Sequence, residues 1–211
     1  MNLIFGASGH ATEVEWLTQV CPAPVNQIWR ADHFVVPDAC TQAQHVGLPV
    51  LTEAKVLQQG GPFNGFIALG EPGLRQKIWH KFDSPLASWP TLIHPSLVSD
   101  CRPGRVSLGP GCIIFPSCTL TSQISLGQHV HINVGCSISH DVRIADFCTL
   151  SPGVHLAGKV CLGERVFLGM GALVAENIHI CADAIIGAGA VVLRHITEPG
   201  TYVGVPAQKI K

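Results

Sequence analysis

The sequence predicts a small α/β domain followed by a parallel β-helix, and three observations carry that prediction. From Leu108 to Val192 an aliphatic residue recurs at every sixth position, fifteen times without a miss. The residue four places after each anchor is small or β-branched throughout, from Cys112 and Cys118 to Ala190 and Ile196. Residues 1–90 instead alternate short apolar runs with helical patterns, and the first run ends in Gly6-Ala7-Ser8-Gly9-His10. A period of six matches neither a helix nor a simple amphipathic strand. It is the period of a hexapeptide repeat, in which each hexad forms one flat face of a prism and every anchor points inward. The second column supplies the small groups that a narrow prism needs beside its corners.

Composition narrows the function classes. The 211 residues carry a formal charge of −1, which argues against an electrostatic nucleic-acid binder. Charged residues make up 13% of the chain, about half the usual fraction, so much of the surface is expected to be buried, including between subunits. Met1 leads into Leu3-Ile4-Phe5 without a basic region or cleavage site, and no apolar run reaches the ~18 residues of a membrane span. Four of the nine cysteines (Cys112, Cys118, Cys136 and Cys148) fall in the inward column, where they act as small hydrophobes. An odd cysteine total without CxxC spacing reads as reduced thiols and a cytoplasmic protein.

In chain order, Leu3–Phe5 reads as a strand, the glycine-rich run as a turn, and Thr12 to about Val20 as an amphipathic helix. Such a corner binds anions, because unpaired backbone N–H groups converge at the helix N-terminus. Val46–Leu51 reads as extended, Glu53–Gln59 as a helix, Gly65–Leu69 as a buried strand and Arg75–Phe82 as another helix. The alternation predicts a mostly parallel sheet, Rossmann-like in character, over residues 1–90. A second ligand-facing turn, Gly70-Glu71-Pro72-Gly73, leads to Arg75, a candidate phosphate clamp. Trp89-Pro90 to His94-Pro95 breaks helix and marks the boundary, so residues 91–211 form the β-helix. Arg102 replaces an anchor in an irregular first coil, as is usual for the end of a solenoid. Fifteen hexads make five coils if three close a turn, and the tail from Glu198 to Ala207 is expected to fold back as a cap.

Several runs together are specific: Gly6-Ala7-Ser8-Gly9-His10, Ala68-Leu69-Gly70 with Arg75, and Ile93-His94-Pro95-Ser96. They are followed by Asn133 with Ser139-His140-Asp141, Ser151-Pro152-Gly153, Ala157-Gly158, Ile186-Gly187-Ala188-Gly189-Ala190 and Gly204-Val205-Pro206-Ala207. In this order and spacing the chain resembles the hexapeptide-repeat sugar acetyltransferases, within the sialic-acid O-acetyltransferase and nucleotide-4-amino-sugar N-acetyltransferase group. The resemblance implies a left-handed β-helix, a homotrimer, and acetyl-coenzyme A lying between neighbouring prisms. It also implies a surface-polysaccharide setting, no metal, and no nucleic-acid or membrane partner. There are departures: Ala11 replaces a glycine, and Thr149 stands where some members carry a second histidine. Asp32 is the best match for the acidic residue that follows the second strand.

On this resemblance His140 is the candidate general base, since imidazole titrates near neutral pH. Asp141 would orient its ring and raise its basicity. With eighteen residues per coil, Ser122, His140, Gly158 and Glu176 stack in one column. Gly158 then lies next to His140, leaving room for a thioester and offering an oxyanion donor. Asn133 is expected to contact the sugar, as are Gly6, Ser8, Gly9, His10, Asp32, Gly70 and Arg75 in the first domain. Gly158, Gly169, Gly171 and Ala188 would leave a low wall for the pantetheine arm.

The expected reaction is N-acetylation of a nucleotide-linked 4-amino sugar, with sialic-acid-type O-acetylation as the alternative. Two further readings stand. A zinc enzyme like the γ-class carbonic anhydrases uses the same prism, and His129, His131, His140, His155 and His179 invite the comparison. The column His131, Thr149, Phe167 nevertheless stacks no histidine pair. A non-catalytic sugar-nucleotide-binding scaffold is the other reading, and the intact His140-Asp141 pair argues against it.

Overall fold

A computed structural model describes residues 1–22 and 29–211, and the chain divides into two compact units, Met1–Leu92 and Ile93–Lys211. Among the described residues the first unit contains β1 (Asn2–Phe5), α1 (Gly9–Val20), β2 (His33–Val36), β3 (Gln44–His45), β4 (Leu48–Thr52), α2 (Glu53–Gln59), β5 (Phe63–Ile67), α3 (Pro72–Phe82) and β6 (Ala87–Ser88). The strands lie in the order β3-β4-β2-β1-β5-β6 and are parallel except for the β3–β4 hairpin. Leu3, Phe5, Val35 and Ile67 share one core with Val56 of α2 and Phe82 of α3, while Ile4, Phe34 and Phe66 alternate to the opposite side. The chain leaves β1 toward β2 and later returns to β5 on its other flank, which creates a topological switch at the carboxyl ends of these strands.

Five local expectations shift. Helix α1 begins at Gly9 rather than Thr12, and α3 at Pro72 rather than Arg75, because a first turn carries no apolar period of its own. Val46 and Gly47, expected to be extended, form the β3–β4 turn with φ of 42° and 81°. The buried strand expected at Gly65–Leu69 is β5, ending at Ile67. Finally, Asp32 does not follow the second strand but precedes it.

The second unit is a left-handed parallel β-helix whose three sheets have eight, six and five strands among the described residues. Register confirms an eighteen-residue coil: Ile113, His131, Thr149, Phe167 and Ile185 pair in succession. The anchors after Leu108 and the entire second column are buried in one core; Leu108, at the open end, is half-buried. The four inward cysteines donate their thiols to the carbonyls of Gly127, Asn133, Ser151 and Gly163, at 3.0–3.3 Å. That contact reconciles a polar atom with a dry core.

Three residues after each anchor the backbone turns a corner. All fourteen such positions from Gly111 to Gly189 are left-handed, with φ between 51° and 71°, and only five are glycine. The stacked coils hold the others in a conformation that costs a side-chain-bearing residue about 1 kcal/mol or more. The tail pairs with the last coils. Gly200–Val203 continues the eight-stranded sheet, Gln208–Lys209 turns back antiparallel to it, and Ala207 N–H donates to Val191.

Candidate active site

Each coil has three corners, and each corner makes one long edge of the prism. The first edge carries Pro116, Val134, Pro152, Met170 and Ala188, mostly apolar and exposed. The second carries Ser122, His140, Gly158, Glu176 and Arg194. The third is polar and braced between coils, with Asp146 accepting from Gln128 and Asp183 from Arg165.

On the second edge the structure brings His140, Asp141 and Gly158 together. Asp141 sits at a left-handed corner with φ of 60°, which turns its carboxylate back toward the preceding side chain. Its Oδ2 lies 2.8 Å from Nδ1 of His140. A carboxylate can only accept, so Nδ1 carries a proton, and in the neutral ring Nε2 carries the lone pair. Both side chains are about half exposed. The imidazole lies across Gly158 of the next coil: a Cβ added there would fall 2.7 Å from Cε1 and 2.8 Å from Nε2. The N–H groups flanking Gly158, those of Ala157 and Lys159, donate to Val174 and His140, whereas that of Gly158 makes no bond to a neighbouring coil.

Asn133, Gly169, Gly171 and Ala188 lie elsewhere, around the first edge. Asn133 donates its side-chain amide to the Leu150 carbonyl at 2.8 Å, leaving its Oδ1 as an acceptor. Gly169 has a packing reason of its own, since a Cβ would fall 2.6 Å from the backbone of Ala188. Gly171 faces open space, and Ala188 is exposed. Within one chain, therefore, the expected acid–base residues and the expected pantetheine wall occupy different edges. Thr149 is buried on the outer side of its sheet between His131 and Phe167, away from the His140 corner.

In the first unit Gly6, Ser8, Gly9, His10 and Gly70 gather at the carboxyl edge of the sheet. Gly6 has φ of 121° and packs so closely that a Cβ would meet the Ala68 carbonyl at 3.0 Å, while its N–H donates to Val35. Ser8 is the N-cap of α1 but places no side-chain bond on that helix end, and His10 Nδ1 lies 3.0 Å from Glu13. The N-terminus of α3 is different: the Glu71 carboxylate already accepts from Gly73 and Leu74. Of the two expected anion corners, the one at α1 is the one without a resident carboxylate.

Two residues of the first unit depart from their expected places. Arg75 is fully buried and donates to the Leu69 carbonyl at 2.6 Å, so its guanidinium braces the turn after β5 from inside. Asp32 lies at the amino end of β2, where it accepts from Asn2 N–H at 2.8 Å. That is the edge of the sheet opposite Gly6. The acidic residue that follows β2 is Asp38, which accepts from Ala54 in the first turn of α2. Its signal in the sequence is the run Phe34-Val35-Val36-Pro37-Asp38, an apolar strand followed by a proline and an acidic residue. A mostly apolar cavity of about 330 Å³ opens at the same edge between Phe5, Gly6, Val35, Pro37, Leu69 and Ile78.

Among the described residues no three His, Cys, Asp or Glu side chains converge as metal ligands, and no helix is long and apolar enough to cross a membrane. His129, weighed above for zinc, is buried with its ring stacked on Phe147 at 5.4 Å.

No family model matches this sequence. Among solved structures, the chain is similar to perosamine N-acetyltransferase from Caulobacter crescentus in complex with CoA and GDP-perosamine, solved with one histidine changed to asparagine. The identity is 33% over 99% of this chain and 96% of that one, with a TM-score of 0.87. It is also similar to the acetyltransferase domain of PglB from Neisseria gonorrhoeae in complex with acetyl coenzyme A (26% identity, 99% and 98% covered, TM-score 0.85). WeeI from Acinetobacter baumannii shares the fold at 24% identity, with 99% and 98% covered and a TM-score of 0.85. With likeness running through both units and a relative at one-third identity along its whole length, the chain belongs to the hexapeptide-type sugar acetyltransferases.

Proposed function

We propose that this enzyme transfers the acetyl group of acetyl-CoA to the amino group of a nucleotide-linked 4-amino sugar, with His140 as general base. The observation that carries the proposal is the His140–Asp141 pair at 2.8 Å with Gly158 beneath the ring. As the amine forms its C–N bond to the acetyl carbon and the thioester C–S bond breaks, Nε2 of His140 takes the amine's proton and passes it to the departing coenzyme A thiolate, while Asp141 keeps Nδ1 protonated and the ring oriented. The N–H of Gly158 is the candidate donor to the carbonyl oxygen on which charge develops. Bound acetyl-CoA supplies the thioester; the open wall at Gly171 and Ala188 suits its extended arm.

Because these two groups of residues lie on different edges of one prism, we infer that the site is completed between copies. The coenzyme then lies between the His140 edge of one and the Gly171–Ala188 edge of another, and Asn133 of that second edge reaches the acceptor sugar. A homotrimer closes such a heterologous contact. The likeness to a transferase crystallised with GDP-perosamine supports a nucleotide-linked acceptor, and the α1 corner of the first unit, which has no resident carboxylate, is a candidate anion contact. Asp38 and the adjacent cavity supply further candidate contacts for the nucleotide, and residues 1–90 thus act as a sugar-nucleotide-binding domain. Nine free thiols suit a cytoplasmic enzyme serving surface-polysaccharide synthesis.

A screen of coenzyme A release with UDP-, GDP- and dTDP-linked 4-amino sugars, beside free sialic acid, tests the proposal. Turnover of a nucleotide-linked amino sugar is expected. Turnover of sialic acid alone would make the enzyme an O-acetyltransferase instead.

A further inference from the structure

A polar cleft of about 320 Å³ opens beside the His140 corner, lined by Arg105, Ser107, Gln123, Ser125, Asp141 and Arg143. Its floor follows from the register. Ser107, Ser125 and Arg143 are successive partners in three adjacent strands, so their side chains stand in a row on the outer face, about 4.8 Å apart from coil to coil. Arg105 is held at the rim by its backbone, whose carbonyl accepts from Ile124 at 2.9 Å. The arginines of this cleft differ from most others in the protein. Arg75, Arg102 and Arg165 each donate to carbonyl or carboxylate oxygens. The guanidinium groups of Arg105 and Arg143 have no hydrogen-bond or ionic partner among the described residues, although Arg105 is half-buried. Two guanidinium groups therefore face one carboxylate, and that carboxylate, Asp141, already accepts from His140.

We propose that this cleft is an oxyanion subsite for the acceptor: Arg105 and Arg143 bind a phosphate or carboxylate carried on the same sugar ring that is acetylated at His140. The inference rests on the reading of the His140 corner as the transfer site and adds a requirement to it. A 4-amino group and an anomeric phosphate flank a single pyranose ring. An amine at Nε2 thus leaves the sugar-linked phosphate within reach of Arg143, three residues along the chain. The planar guanidinium groups match a phosphate or carboxylate edge in paired hydrogen bonds, and Ser107, Ser125 and Gln123 donate to the remaining oxygens. The cleft fixes the orientation of the ring, so that one substituent and not its neighbours meets the base.

Titration calorimetry on the full-length protein tests this, using a GDP-linked 4-amino sugar, free sialic acid, inorganic pyrophosphate and acetyl-CoA as separate probes. Arg105→Gln combined with Arg143→Gln is expected to weaken binding of the GDP-linked sugar about tenfold or more, with acetyl-CoA affinity kept within about twofold. Arg143→Lys, which keeps the charge and loses the planar fork, should restore part of the loss. An arginine-dependent loss seen only with sialic acid assigns the anion as a carboxylate; one seen with the GDP-linked sugar assigns it as a phosphate. Unchanged sugar affinity in the double variant overturns the subsite, and so does a loss that falls on acetyl-CoA. If the wild type binds no sugar but shows pyrophosphate binding that the double variant lacks, the acceptor assignment fails while the anion cleft stands. Absence of pyrophosphate binding as well removes the cleft.

Discussion

Asp141 Oδ2 lies 2.8 Å from Nδ1 of His140, its immediate neighbour in the chain, because the backbone at Asp141 is left-handed with φ of 60°. In an extended strand two consecutive side chains point to opposite faces and cannot meet. The prism corner makes the pair possible, and the coil above supplies the glycine that leaves room for the ring.

Replacing His140 by Ala is expected to lower kcat by roughly 10²–10⁴-fold, the usual worth of positioned acid–base catalysis. Acetyl-CoA binding should hardly change, because the imidazole acts on the acceptor's proton. Stopped coenzyme A-release assays and calorimetry read the two quantities separately; activity within a few-fold of wild type would move the base elsewhere. Asp141→Asn, a residue tolerant of the left-handed corner, should cost less than His140→Ala with unchanged circular dichroism.

Gly158→Ala is a sharper steric test. The added methyl would stand 2.7 Å from the His140 ring, so the ring must swing away. The backbone at Gly158 is not left-handed, so alanine introduces no conformational strain of its own. A large fall in kcat with a folded prism is expected, and a crystal structure should show a displaced imidazole. An unmoved ring and normal turnover would take Gly158 out of the site.

Met170 is 61% exposed on the apolar first edge. Met170→Glu should split the assembly and abolish activity together, if that edge meets the His140 edge of another copy. Sedimentation velocity measures the first effect and coenzyme A release the second. A wild-type protein that sediments as a stable monomer at micromolar concentration while fully active would contradict the shared site.

Asp100 predicts a pH dependence. Its carboxylate accepts from the Arg102 guanidinium and from Ser122 at 2.6–2.8 Å, and these bonds, the Arg102 pair foremost, hold its pKa well below the usual carboxylate range. A depressed folded-state pKa means that the contribution to stability is present above the unfolded value, about 4, and is lost as pH falls through the folded one. Asp100→Asn should therefore lower the urea midpoint near neutral pH, with the gap to wild type closing below about pH 4. A gap independent of pH would mean that the charge contributes nothing.

The sequence by itself determined the prism. A six-residue period with a second column of small groups leaves no other packing, because only a three-sided coil returns every anchor to one narrow core. It also determined which residues share a column, since eighteen-residue coils follow from the period; Gly158 beside His140 is therefore legible in the sequence. The α/β character of the first ninety residues was legible for the same kind of reason, namely the alternation of apolar periods.

Only the tertiary structure decided the rest. Left-handed turns at bulky residues such as Phe147 and Arg165 are imposed by stacked neighbours against local preference. The end of β2, and with it the exchange of Asp32 for Asp38 at the ligand edge, depends on which residues pair with β1 rather than on any local pattern. Arg75 reads as a clamp in sequence but is buried against Leu69, because its helix begins one turn earlier than apolar spacing can reveal. Periodicity reports which side of an element faces a core; which end of a strand faces a ligand is set by long-range pairing, and that information is spread along the chain.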